Sequence, residues 1–193
     1  METRPLLAVL LIGVFYPLWL ITGLIDYICH RRSDIAKTSG STESWLHVAQ
    51  FASLGLALSL AALLAITPLA FTLLVGLVVV HTILSFIDVS YTDGRRYISP
   101  LEQHAHGFMD VLPIVGVCLI GVLNWNELQG APWTLDWKQP PIPKLQCLAV
   151  IGSYFLLAGV PIFEELLRTL TSKVELPPFF DNRPKTKKAR SSD

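Results

Sequence analysis

Five apolar stretches govern what this chain can fold into, each close to the roughly 20 residues that carry a helix across a bilayer. They lie near Leu6–Ile25, Trp45–Ile66, Leu69–Ile87, Gly107–Leu123 and Leu145–Phe163. In hydrocarbon a backbone must satisfy its own hydrogen bonds, so such stretches are read as helices. Hydrophobic residues make up 52% of the chain and charged residues 16%, a poor balance for a soluble domain and an ordinary one for a membrane protein. The expectation is an all-α polytopic membrane bundle of five transmembrane helices. Residues 1–172 would form the bundle and 173–193 a basic tail, read as cytoplasmic and disordered.

Charge sets the expected orientation. Of the 15 basic residues, only Arg4, Lys138 and Lys144 fall on the side of the N-terminus; the rest lie in the loops after spans one and three or beyond span five. The positive-inside rule then places the N-terminus outside and the C-terminus in the cytoplasm. The inner (cytoplasmic) membrane is the expected location. Trp125, Trp133 and Trp137 in the outer loop suit interfacial anchors.

Three acid–histidine pairs stand at i and i+4: Asp26 with His30, Glu43 with His47, and Glu102 with His106, the last continuing to Asp110. Each pair shares one helical face. His81 and Asp88 in span three, seven residues apart, share another. On the expected topology all nine residues lie toward the cytoplasmic ends of four successive helices. Ionisable groups are expensive in lipid and mark function there. These nine are therefore the candidate metal ligands. Ordinary roles compete for some of them. Ser99-Pro100-Leu101-Glu102 reads as a capping box with proline at the first helical position, and Glu43 suits a helix N-terminus. His104 leaves the Glu102–His106–Asp110 face and is read as a residue that supports a ligand or lies at the surface, rather than as a ligand. Arg31, Arg32, Arg95 and Arg96 are read first as topology signals and second as a substrate-binding cradle for an anionic group.

Carboxylate and imidazole without thiolate favour iron, manganese or zinc. The 3 cysteines form no CxxC, which leaves thiolate zinc and iron–sulfur clusters unsupported. So many ligands exceed the needs of one catalytic zinc and suit two transition metal ions, iron first, zinc or manganese next. Soluble di-iron bundles also present acids and histidines from four helices, though with Glu-x-x-His spacing, so the parallel is architectural.

The segments Pro17-Leu18-Trp19-Leu20, Asp26-Tyr27-x-Cys29-His30-Arg31-Arg32, Thr38-Ser39-Gly40-x-x-Glu43-Ser44-x-x-His47 and Arg95-Arg96-x-Ile98-x-Pro100-x-Glu102-Gln103 resemble those of small bacterial polytopic membrane proteins without an established activity. The resemblance covers about the first two thirds of the chain and implies little about chemistry. The histidine-rich boxes of membrane desaturases are absent, as are phosphate-binding loops, dinucleotide glycine patterns and nucleophile elbows.

The functional expectation is a di-iron oxidoreductase, a hydroxylase or desaturase, acting on a lipid-like substrate with an electron donor. A zinc-dependent lipid hydrolase is one alternative and a metal transporter or sensor another. The lipid bilayer is the expected partner and nucleic acid is not.

Overall fold

A computed structural model describes residues 3–172. The expected tail, 173–193, lies outside the described residues. Five helices are long and apolar enough to cross a membrane: α1 (Thr3–Arg32), α2 (Gly40–Leu63), α3 (Pro68–Thr92), α4 (Pro100–Leu123) and α5 (Lys144–Leu170). No strand occurs among the described residues. The outward faces carry large apolar side chains, with Phe86 74% and Leu145 78% exposed, as a multi-pass membrane protein requires.

The helix ends differ from the apolar boundaries in two instructive ways. α2 stops at Leu63, short of the expected Ile66, because residues 64–67 run extended instead. The segment 134–138 holds them there: Ala65 N–H donates to Asp136 O, Lys138 N–H donates to Leu63 O, and Thr67 Oγ1 donates to Thr134 O. Thr67 then caps α3, accepting from Ala70 N–H, with Pro68 at the first helical position where a missing N–H costs nothing. At the opposite end, α4 begins at Pro100, seven residues before its apolar stretch, capped by Ser99 Oγ on Glu102 N–H at 3.2 Å. Only that half of the expected capping box forms.

Two prolines explain two widened turns. Pro17 and Pro161 each lack a donor and would press their rings on the carbonyl four residues back. A single π-helical turn precedes each, at Leu11–Phe15 and Phe155–Gly159, and lets α1 and α5 continue.

α2 is the central helix, packing on α3 and α5, while α1 packs on α4. Midway along the bundle, Tyr154 of α5 stacks between Phe51 of α2 (centroids 4.7 Å apart) and Trp19 of α1 (5.4 Å). The Tyr154 hydroxyl donates to Phe51 O at 2.6 Å, so the buried ring brings a satisfied polar tip. Gly55 makes room for this stack: a Cβ there would meet Tyr154 Cε1 at 2.9 Å.

A contrast between two glycines tests this packing. Because Tyr154 is fixed by stacking and by its hydroxyl, Gly55→Ala should destabilise the bundle by about 1–3 kcal/mol, the usual cost of overpacking. Gly76→Ala, which meets nothing within 4 Å, should not. Thermal unfolding of both variants in the same detergent checks the difference.

Candidate metal centre

α1 and α3 end, and α2 and α4 begin, at the same end of the bundle, and antiparallel packing therefore gathers their polar turns. Asp26, Glu43, Asp88 and Glu102 are 5%, 0%, 2% and 1% exposed. His30 and His47 are buried beside them, and His106 lies at the margin. Seven of the nine expected ligands thus meet in one cluster. The remaining two form a pair at its edge: His81 Nε2 is 3.7 Å from Asp110 Oδ1, and the Asp110 side chain is one third exposed.

The residue that organises this cluster is one the acid–histidine spacing did not reveal. Glu165 of α5, 2% exposed, accepts from His30 Nδ1 at 2.9 Å through one oxygen. Through the other it accepts from His47 Nδ1 at 2.7 Å and from Ser44 Oγ at 3.2 Å. The two imidazoles stack at 4.7 Å with planes 6° apart. An ionised carboxylate only accepts, so both Nδ1 atoms carry the proton and both Nε2 atoms are left with what the rest of the cluster offers. Orienting a histidine through its outer nitrogen in this way is the usual support for a metal ligand. α5 contains no histidine, so only the doubled acid Glu164-Glu165 near its end could have signalled the role.

His30 Nε2 is buried and makes no hydrogen bond. Around it stand Asp26 Oδ2 at 3.4 Å, Glu102 Oε1 at 3.4 Å and Glu43 Oε1 at 3.9 Å. His106 Nε2 approaches Asp26 Oδ1 to 2.8 Å, yet that oxygen too lacks an aligned donor. Unaligned nitrogen and oxygen lone pairs in close company suit ligands that share a cation. Two atoms each about 2.1 Å from one tetrahedral ion lie about 3.4 Å apart. Buried His, Asp and Glu groups here can hold a metal ion. Asp26, His30, Glu102 and His106 each offer an atom within 4.8 Å of the others, as do His30, Glu43 and His47. The two sets compete for His30 Nε2, because Nδ1 is committed to Glu165.

Arg96 favours the first set. It lies just past Gly94, whose φ of 75° turns the chain sharply after α3. Its Nη2 sits 2.6 Å from Glu43 Oε1 and 2.5 Å from Glu102 Oε1, and Nε adds a 3.1 Å bond to Glu43. Burial alone would lower the Arg96 pKa, but its bonds to Glu102 and Glu43 outweigh that and raise it. Glu43 is further occupied by Ser39 Oγ, which donates to it. Glu43 is thus chiefly an anchor for Arg96, whereas Glu102 faces both Arg96 and His30.

A chamber of about 10 Å³, about the size of one water, lies beside this cluster. Asp26, His47, Asp88, His106 and Asp110 contribute to its wall. His47 Nε2 is 3.1 Å from Asp88 Oδ2 there, and Asp88 Oδ1 has no hydrogen-bond partner. Both nitrogens of His81 and the Gln50 amide nitrogen are likewise buried without one. A further cavity of about 70 Å³ runs from Asp26, His30 and His47 toward Trp19, Phe51 and Leu54, so the polar cluster borders an apolar space.

The four arginines do not converge on a cradle. Arg96 is internal, as above. Arg31 pairs at the surface with Glu164 at 2.5 Å, whose other oxygen accepts from the Tyr27 hydroxyl. Arg95 lies over the Tyr91 ring and donates to Tyr91 O, and Arg32 is exposed. His104 is exposed on α4 and bonds Pro100 O through Nδ1.

If Glu165 orients the two imidazoles, Glu165→Ala should lower metal affinity by about 10–100-fold, the range seen when the partner of a ligating histidine is lost. The nearby surface change Glu164→Ala should leave affinity unchanged. Chelator competition on both purified proteins reads this directly.

Compared with models of known families, with curated proteins and with solved structures, the chain matches none.

Proposed function

We propose that this chain is an integral membrane metalloenzyme of the inner membrane, with a binuclear centre that oxidises a lipid-like substrate. The observation that carries the reading is His30: Nδ1 fixed by Glu165, Nε2 buried without a hydrogen bond among three carboxylate oxygens. Asp26, His30, Glu102 and His106 would hold one ion. His47 and Asp88 would hold the other, with Asp26 between them. Charge supports two. The cluster holds five buried carboxylates, those of Asp26, Glu43, Asp88, Glu102 and Glu165, and one guanidinium, that of Arg96 on Glu43 and Glu102; two divalent ions would complete the balance.

Iron is the metal of choice for this mixed oxygen and nitrogen set beside an apolar space, with zinc or manganese next. Iron would supply dioxygen activation. In hydroxylation one oxygen atom enters a C–H bond and the other leaves as water, using two protons and two electrons from an external donor. In desaturation both oxygen atoms leave as water, with the same two electrons and protons and two hydrogens from the substrate. The protein's own residues fix ligands through Glu165, hold Glu43 and Glu102 through Arg96, and border the centre with apolar side chains that exclude water. The apolar wall formed by Trp19, Phe51 and Leu54 favours attack on a hydrocarbon over hydrolysis of a lipid headgroup.

Protein purified in mild detergent should carry close to two equivalents of transition metal, about as many as its ligands can serve. His30→Ala with His106→Ala should remove the ion that they hold and lower the metal content, as measured by mass spectrometry. Glu102→Gln should lower occupancy, because a neutral amide is a poorer ligand. Ser99→Ala should spare the metal and cost about 0.5–2 kcal/mol as a lost cap. Full metal retention in Glu102→Gln would remove Glu102 from the centre.

The centre is proposed to face the cytoplasm, where reductant is available. A reporter fused after Asp193 should then read cytoplasmic and one inserted between Trp125 and Trp137 external. The opposite pattern would place the centre on the outer side and exclude a cytosolic electron donor.

A further inference from the structure

A space walled by residues of all five helices lies away from the cluster. It measures about 520 Å³, within the range of ligand pockets, and is walled almost wholly by apolar side chains such as Phe15, Ala57, Leu74 and Val117. Trp19 and Leu54 line both this cavity and the smaller one that reaches His30 and His47. The two spaces therefore share a wall, one bordering the candidate metal centre and the other filling the far half of the bundle.

Among the described residues that line the large cavity, Lys138 is the one that is charged. Its Nζ donates to Ala61 O at 2.7 Å, near the end of α2. That bond uses one of three ammonium donors. No carboxylate pairs with Lys138 among the described residues. Burial lowers its pKa, as expected for an ammonium without a counter-ion. Capping α2 accounts for the bond but not for a half-buried charge at the rim of an apolar cavity. From Ala61 to His47 is 14 residues of α2, or about 21 Å at 1.5 Å per residue. A long chain held extended covers that distance; a chain in one bilayer leaflet covers about 15 Å, half the hydrocarbon core.

We infer that the cavity takes a long-chain fatty carboxylate, its headgroup on Lys138 and its chain directed past Trp19 and Leu54 toward the histidine–carboxylate cluster. A carboxylate matches a single ammonium, whereas a phosphate is usually met by several donors or an arginine. The inference rests on the proposed function only for what happens at the cluster; capture of the chain needs no metal.

The test uses the full chain in nanodiscs and a palmitate bearing a photoreactive diazirine near its methyl end, with crosslinks mapped by mass spectrometry. Crosslinks should fall around Trp19 and Leu54 and be competed by palmitate. Lys138→Gln keeps a donor for Ala61 O and removes the charge. It should weaken palmitate about tenfold and leave hexadecanol within about twofold, the signature of a lost charge-assisted bond. Ala57→Trp, which fills the cavity, should abolish labelling, with thermal unfolding confirming that each variant folds. His30→Ala with His106→Ala should label like the parent protein, so loss of the metal reading alone would leave this result standing. Undiminished labelling in Ala57→Trp would overturn the cavity. Equal weakening of palmitate and hexadecanol in Lys138→Gln, or tighter binding of hexadecyl phosphate than of palmitate, would overturn the carboxylate.

Discussion

Charge carried into an apolar bundle has to be neutralised within a few ångströms, and most of the architecture at one end of this molecule follows from that need. The acids of α1, α2, α3 and α4 cannot reach water from their buried positions, so each has a partner drawn from another element. Arg96 answers Glu43 and Glu102, while imidazole nitrogens lie against Asp26, Asp88 and Glu165 and leave charge there for the proposed cations to balance. The arrangement ties five helices and a loop to one another through electrostatics, where packing alone would leave them free to slide. An uncompensated carboxylate in such a site costs several kcal/mol. The helix register is accordingly set by the cluster as well as by the aromatic stack halfway along the bundle.

The opposite half of the bundle obeys different physics. There the helices spread around a large apolar space, and the segment 131–143 closes over the α2–α3 hairpin through backbone hydrogen bonds. Small residues line this half where large ones would fill it: Ala57, Ala61, Ala62 and Gly116 all border the cavity. A bundle selected only for stability would fill such a space, since cavity volume is itself destabilising. The division into a tightly paired polar end and an open apolar end is compatible with the hydrocarbon oxidation proposed above.

Much of this was legible in the sequence because two signals are local. Hydropathy marks each span within the chain, and the i, i+4 spacing of Asp26 with His30 or Glu102 with His106 marks a shared face without any knowledge of neighbours. The hairpin alternation then implies that these faces gather at one end. What local pattern could not convey is pairing between distant segments. Arg96 and Arg95 are adjacent and chemically alike, yet one is sealed against two glutamates and the other lies on Tyr91; only the turn at Gly94 distinguishes them. Glu164 and Glu165 differ in the same way, one on the surface with Arg31 and the other between two histidines. In both doublets the helical or loop phase of a single residue decides the role, and hydropathy is blind to it. Hydropathy also placed the start of α4 too late, because Pro100–His106 is polar in composition but buried in part against α1.

The position of Glu165 bears on how the molecule is made. Ribosomal synthesis delivers His30 and His47 to the membrane with the first two helices, more than a hundred residues before the acid that holds their Nδ1 atoms. Until α5 arrives, the stacked imidazoles have no common acceptor, and Ser44 also lacks its bond to that carboxylate. Among the five described helices, α5 emerges last, and it is the one that closes the polar end. A nascent chain that stalls before α5 lacks the carboxylate that fixes both Nδ1 atoms, so its imidazoles meet only the acids of the earlier helices.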